Sequence, residues 1–183
     1  MTTPAELYAC LYAKEFPAQS LLRLRPELHS KPCVVMEGEP PSQYVFSLNT
    51  KARLTGLSRG MTRVEVDTFS APVILSRSGQ AETRTRLILL ECAGAFSPRI
   101  EEHRQDTALL CSIDISGTKS LFGPPELLAQ SLLQRVRSLG ISARVTVSDN
   151  FHAAACLAKA RWCVQPFRSF LRRVRLKSYP ACH

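Results

Sequence analysis

The chain's first strong pattern is an apolar run, Leu7 to Ala13 (LYACLYA), rich in β-forming side chains and too short for a helix. It predicts a buried strand. From Phe16 to Leu28 the apolar positions 18, 21, 22 and 24 recur at helical spacing with basic residues between them, and Ser30-Lys31-Pro32 stops that helix. Cys33 to Met36 and Tyr44 to Leu48 read as two short strands joined by the turn-rich GEPPSQ, a hairpin. A short helix from Thr50 to Leu57, closing at Gly56, comes next, and a longer helical pattern covers Ser78 to Phe96. It ends before Ser97-Pro98, because the residue preceding proline is biased out of the helical region. A strand from Thr107 to Ile115, a turn at Ser116-Gly117 and a helix from Pro124-Pro125 to Leu139-Gly140 follow, the last with proline at its start and glycine at its end. Ala143 to Val147 is a further strand and His152 to Ala160 a further helix. This order predicts the α+β class, with an antiparallel or mixed sheet and helices packed on one face.

At 183 residues and 45% hydrophobic, the chain can bury one compact core and a small subdomain. No apolar run is long enough to cross a membrane, and MTTPAELYACLYAKEF lacks a secretory n-region and h-region, so a soluble cytoplasmic protein without membrane contact is expected. The seven cysteines are odd in number, never spaced C-x-x-C, and set in apolar runs such as CVVM and LLECAGAF. Reduced, buried thiols fit this better than zinc or disulfides, and the four scattered histidines add no ligand pair. The net charge of +9 points to nucleic acid, but Arg161, Arg168, Arg172, Arg173, Arg175 and Lys177 lie in an acid-free stretch from 161 to 183, so most of the excess belongs to that tail.

Three stretches carry a family resemblance. FPAQSLLRLRPELHSKPCVVM (16–36), NTKARLTGLSRGM (49–61) and SIDISGTKSLFGPPELL (112–128) occur in the order, and with the intervening helices, of the UmuC/DinB-like Y-family translesion DNA polymerases. The resemblance implies a ferredoxin-like palm sheet plus a small fingers subdomain. Residues 1–15 would hold the first palm strand, 16–76 the fingers-like subdomain and 77–160 the rest of the palm, with thumb and little finger absent. Residues 161–183 would be a basic tail: Phe167, Phe170, Leu171 and Val174 fall at helical spacing among arginines, but a shifted frame or truncated gene accounts for both the end of the resemblance and the loss of acids.

Polymerase chemistry needs one carboxylate on the first palm strand and an adjacent Asp-Glu pair on a later one, to hold two magnesium ions. By the resemblance, the first position falls on Tyr12, with Lys14 two residues on. The turn from Gly117 to Gly123 places the pair at Leu109 and Leu110, whereas Ser97 to Glu101 would place it at Asp106-Thr107; the apolar run from Ala108 to Ile113 favours the former. Neither register supplies an Asp-Glu pair, so no catalytic residue, metal site or cofactor is expected. Asp106 and Asp114 are the weak candidates for a magnesium ligand should the chain be active. Asp114 reads as a strand-to-turn corner whose carboxylate accepts from turn amides.

Arg53 occupies the fingers position that the resemblance links to the incoming triphosphate, and a solvated helix arginine is the other reading. Arg59, Gly60 and Lys159 complete the nucleotide- or DNA-binding candidates, with turn geometry and solvent exposure as their plain alternatives. Phe16-Pro17 replaces the aromatic pair that screens the sugar. Loss of all three acids with the palm order kept resembles the ImuB-type branch. That likeness implies a non-catalytic DNA-repair protein of induced mutagenesis that binds primed or damaged DNA. Its partners would be an error-prone replicative-type polymerase, a sliding clamp and an accessory mutagenesis protein, met through segments outside this chain. An active error-prone polymerase fragment, and an adaptor without DNA affinity, are the alternatives.

Overall fold

The computed structural model describes residues 6–103 and 105–160; the expectations for 161–183 fall outside them. The LYACLYA run forms β1 (Tyr8–Lys14), and its alternation sends Ala9, Leu11 and Ala13 to one face and Tyr8, Cys10 and Tyr12 to the other. A strand apolar on both faces belongs inside a sheet. β1 lies between β6 (Ala108–Asp114) and β7 (Arg144–Ser148), with β5 (Ile100–His103) beyond β6, all antiparallel in the order β5-β6-β1-β7.

The first face carries the main core. Leu11, Leu109, Cys111 and Ile113 meet Leu89 and Ala93 of α4 (Gly79–Gly94) and Leu128, Leu132 and Val136 of α6 (Pro125–Ser138). The three α6 residues are four apart, a single stripe of the helix. On the opposite face α7 (Phe151–Lys159) sets Ala154 and Ala158 against Cys10 and Leu110, and these small side chains let it lie close to the strands. Helices thus cover the expected face, and α7 adds a layer on the other.

A second sheet takes β2 (Cys33–Glu37), β3 (Tyr44–Leu48) and β4 (Val73–Ser76) in the order β3-β2-β4. The β2-β3 hairpin is present, with a register shift between Val35 and Met36, and β4 joins β2 in parallel. Val34, Met36, Val45, Leu48, Ala52, Leu57 and Val66 form its own core, covered by α2 (Thr50–Leu54) and α3 (Arg63–Asp67). α1 (Phe16–Leu22) joins the two sheets: Phe16 is buried in the main core, and the Ala18 amide donates to the Ser47 hydroxyl at 3.2 Å.

Several boundaries differ from the sequence reading. The helix expected over 16–28 breaks after Leu22, and a separate 3-10 turn covers Pro26–Leu28, because Pro26 has no amide to donate and pushes Arg25 to φ −128. The helix expected over 50–57 stops at Leu54, started by the Asn49 side chain accepting from the Ala52 amide at 2.8 Å. The strands β4 and β5, helix α3 and the short helix α5 (Lys119–Phe122) were not expected.

Cys10, Cys33 and Cys111 are buried and free, Cys92 is half-buried and Cys156 exposed. Burial pushes the Cys10 thiol up to about 11 and the Cys111 thiol up to about 12. Among the described cysteines, Cys156 is therefore expected to react first with an aromatic disulfide at pH 8, and Cys10 and Cys111 only after denaturation. Peptide mass spectrometry of labelled native and unfolded protein checks this order.

Candidate functional site: the cleft between the two sheets

The end of β1 opens onto a cleft of about 870 Å³ whose lining includes Tyr12, Glu15, Lys51, Arg53, Arg137 and Arg144. Strand register decides its chemistry. Tyr12 lies directly across from Leu110 on one side and Arg144 on the other, while Leu109 faces Ala13. Alternation puts Leu110 on the same face as Tyr12 and sends Leu109 into the main core.

The Arg144 guanidinium lies 5.2 Å from the centre of the Tyr12 ring, a cation–π contact, and donates to the carbonyls of Lys159, at 3.2 Å, and Ala160. It thereby ties the end of α7 to the edge strand. A phenol and a guanidinium thus face the cleft at this end of β1, with the aliphatic Leu110 buried behind them, and none of the three is a ligand for magnesium. The residues present do not fit magnesium. Among the described residues, no group of three His, Cys, Asp or Glu side chains is placed to hold a metal ion.

The sequence reading missed Glu15. It follows β1 directly, adopts the left-handed conformation at φ 52 and ψ 42, and keeps its side chain only 9% exposed. Its Oε1 accepts from Arg53 at 2.5 Å and from Arg59 at 2.6 Å. Its Oε2 accepts from the Ser47 hydroxyl at 2.9 Å, the Leu48 amide at 3.3 Å and Arg59 Nε at 3.2 Å. One carboxylate at the end of the first sheet therefore gathers donors from β3, α2 and the turn after α2. No local motif marks it; the available signal was a lone acid between the apolar runs LYA and FPA.

Arg53 and Arg59 thus meet at a single carboxylate, Arg53 being an exposed helix residue whose guanidinium is held in an ion pair. Gly60 turns the chain at φ 83, and its amide donates to the Val45 carbonyl at 2.9 Å. Lys159 is exposed at the end of α7. Asp106 is exposed in the bend before β6.

Asp114 ends β6. Its Oδ1 accepts from the Ser116 amide at 2.9 Å and its Oδ2 from Arg99 at 2.9 Å. Burial pushes its pKa up, but the Ser116 hydrogen bonds and the Arg99 charge outweigh this and hold it below the usual carboxylate value. Asp114→Asn is expected to cost less than about 1 kcal/mol at pH 7, since Arg99 is largely exposed. A carboxyl depressed in the folded state stabilises above its unfolded value, near 4, and loses that contribution as pH falls through the folded value. The two urea midpoints should differ at pH 7 and converge in strong acid.

The pattern of the impB/mucB/samB family matches residues 11–159. The chain belongs to that family. Among solved structures, its fold is shared with Dbh DNA polymerase in an insertion ternary complex, at 19% identity and a TM-score of 0.70, and with DinB from Sulfolobus solfataricus, at 20% and 0.72. Both alignments cover 83% of this chain and 45% of the other. The member described here therefore spans less than half the length of those polymerases, and the shared part corresponds to their palm and fingers. A comparison with curated proteins finds no match. In this member of the impB/mucB/samB family, β1 and β7 present Tyr12 and Arg144 to the cleft, while Leu110 of β6, paired with Tyr12, is buried with Ala154 and Ala158 of α7.

Proposed function

We propose that this chain is a non-catalytic palm-and-fingers module, nearest to the ImuB-type branch, that binds DNA in translesion synthesis without making it. The observation that carries the reading is the Tyr12 ring lying in the cleft beneath the Arg144 guanidinium, with the buried Leu110 as its strand partner, an arrangement that repels a metal ion rather than holding one. Residues 1–15 and 77–160 make up the palm in this reading and 16–76 the fingers. Lys51, Arg137 and Arg144 line the cleft with positive charge suited to phosphates, and Glu15, its acidic member, is already paired. The family's other partners, an error-prone polymerase, a sliding clamp and an accessory mutagenesis protein, would act beside such a module in the cytoplasm, where reduced thiols persist.

Primer extension tests the catalytic part. No product is expected with magnesium or manganese, and template-dependent extension abolished by Asp106→Ala or Asp114→Ala would establish the active-polymerase reading instead. Fluorescence anisotropy on primed and single-stranded DNA across a salt series tests binding. Affinity should fall steeply with salt, and Arg137→Ala should flatten the slope by about one. No binding at low salt would leave an adaptor.

A further inference from the structure

The donors around Glu15 form more than an anchor. Two guanidinium groups end on the same oxygen, so a single negative charge faces two positive ones, and the Ser47 hydroxyl and Leu48 amide add neutral donors at the other oxygen. Forked guanidiniums backed by a hydroxyl and a backbone amide make a cradle for a tetrahedral oxyanion as well as for a carboxylate. Arg53 and Arg59 each keep 39% of the side chain exposed, so the cradle is reachable from solvent, and Arg53 lines the cleft. The carboxylate is delivered by a non-glycine residue in the left-handed region, a disfavoured conformation that persists where the surroundings hold it.

We propose that Arg53, Arg59, Ser47 and Leu48 form an oxyanion site which the chain fills in cis with Glu15. The second sheet is thereby closed onto the first without a ligand, and phosphate-type anions are kept out until this carboxylate is removed. Glu15 acts as a built-in occupant, and the cleft's other lysines and arginines are Lys14, Lys51, Arg137 and Arg144.

The test uses Glu15→Gln, which keeps the shape and removes the charge, with sodium tripolyphosphate as probe and sodium chloride of equal ionic strength as control. Calorimetric titration of the full chain is expected to show Glu15→Gln binding tripolyphosphate roughly tenfold or more tighter than the wild type, and the gain should vanish when Arg59→Ala is added. Equal affinity in wild type and variant would overturn the proposal, as would a gain that survives Arg59→Ala. If Glu15→Gln is unfolded at 25 °C, tripolyphosphate but not chloride is expected to restore its far-ultraviolet dichroism. Failure of that rescue also overturns it. Neither result depends on whether the chain binds DNA.

Discussion

Glu15→Ala is expected to lower the free energy of unfolding by about 2–4 kcal/mol. Breaking a buried, hydrogen-bonded ion pair by deleting one partner costs about 3–5 kcal/mol, and the half-exposed arginines recover part of that through hydration. The Ser47 hydroxyl and Leu48 amide lose their acceptor as well, and alanine inherits the left-handed backbone without any compensating contact. Urea unfolding measures the loss, with an unchanged denaturant slope showing that the native core survives. A cycle with Arg59→Ala should be non-additive by about 1 kcal/mol or more, since both substitutions remove the same contact. A loss below about 0.5 kcal/mol would mean that the convergence on Glu15 stabilises nothing.

Gly140→Ala should be comparably damaging, at about 2–4 kcal/mol. Gly140 sits at φ +77, where a Cβ is disfavoured, and the added carbon would stand 2.9 Å from the Arg23 carbonyl oxygen. That oxygen belongs to the backbone after α1 and cannot swing away. The neighbouring loop has no slack either: the Ser142 amide donates to the Gln19 side chain at 2.6 Å, while Gln19 donates to the carbonyls of Ser142 and Lys14 at 2.9 and 2.6 Å. Strain at Gly140 therefore reaches the rim of the cleft. Gly94→Ala is the control: it lies at the end of α4 with nothing within 4 Å of an added Cβ, and it should be neutral or stabilising by up to about 1 kcal/mol. Thermal unfolding of the two variants beside the wild type decides the matter.

Why some of this was legible in the sequence and some was not follows from what each residue needs. β1 and β6 were readable because a strand buried on both faces must be apolar at nearly every position, and LYACLYA and ALLCSI, broken by Ser112 alone, are. α6 was readable because proline and glycine mark its two ends. β5 escaped because IEEH is polar and lies at the edge of the sheet, paired on one side with β6. β4 escaped because VILS is four residues long and gains its place only by pairing with β2, forty positions earlier. α3 did carry a local sign, the Thr62 and Glu65 spacing of a capping box, which was overlooked.

At the cleft, the apolar run from Ala108 marked where β6 begins, but its pairing of Leu110 with Tyr12 came from the fold. So did the role of Glu15. Its partners Ser47, Leu48, Arg53 and Arg59 lie 32 to 44 positions away along the chain, and only the meeting of the two sheets brings them together.

The central place of β1 also sets an order of events during folding. Its partners are β6 and β7, with Tyr8 facing both Asp114 and Ser148, so this strand waits 106 positions for one neighbour and 140 for the other. The second sheet and its helices close within residues 33–76 and need far shorter loops. At ribosomal speeds of about 5–20 residues per second, that smaller core has seconds in which to form while LYACLYA stands unpaired and apolar. The strand that organises the finished sheet is thus, on a nascent chain, the segment most in need of shelter.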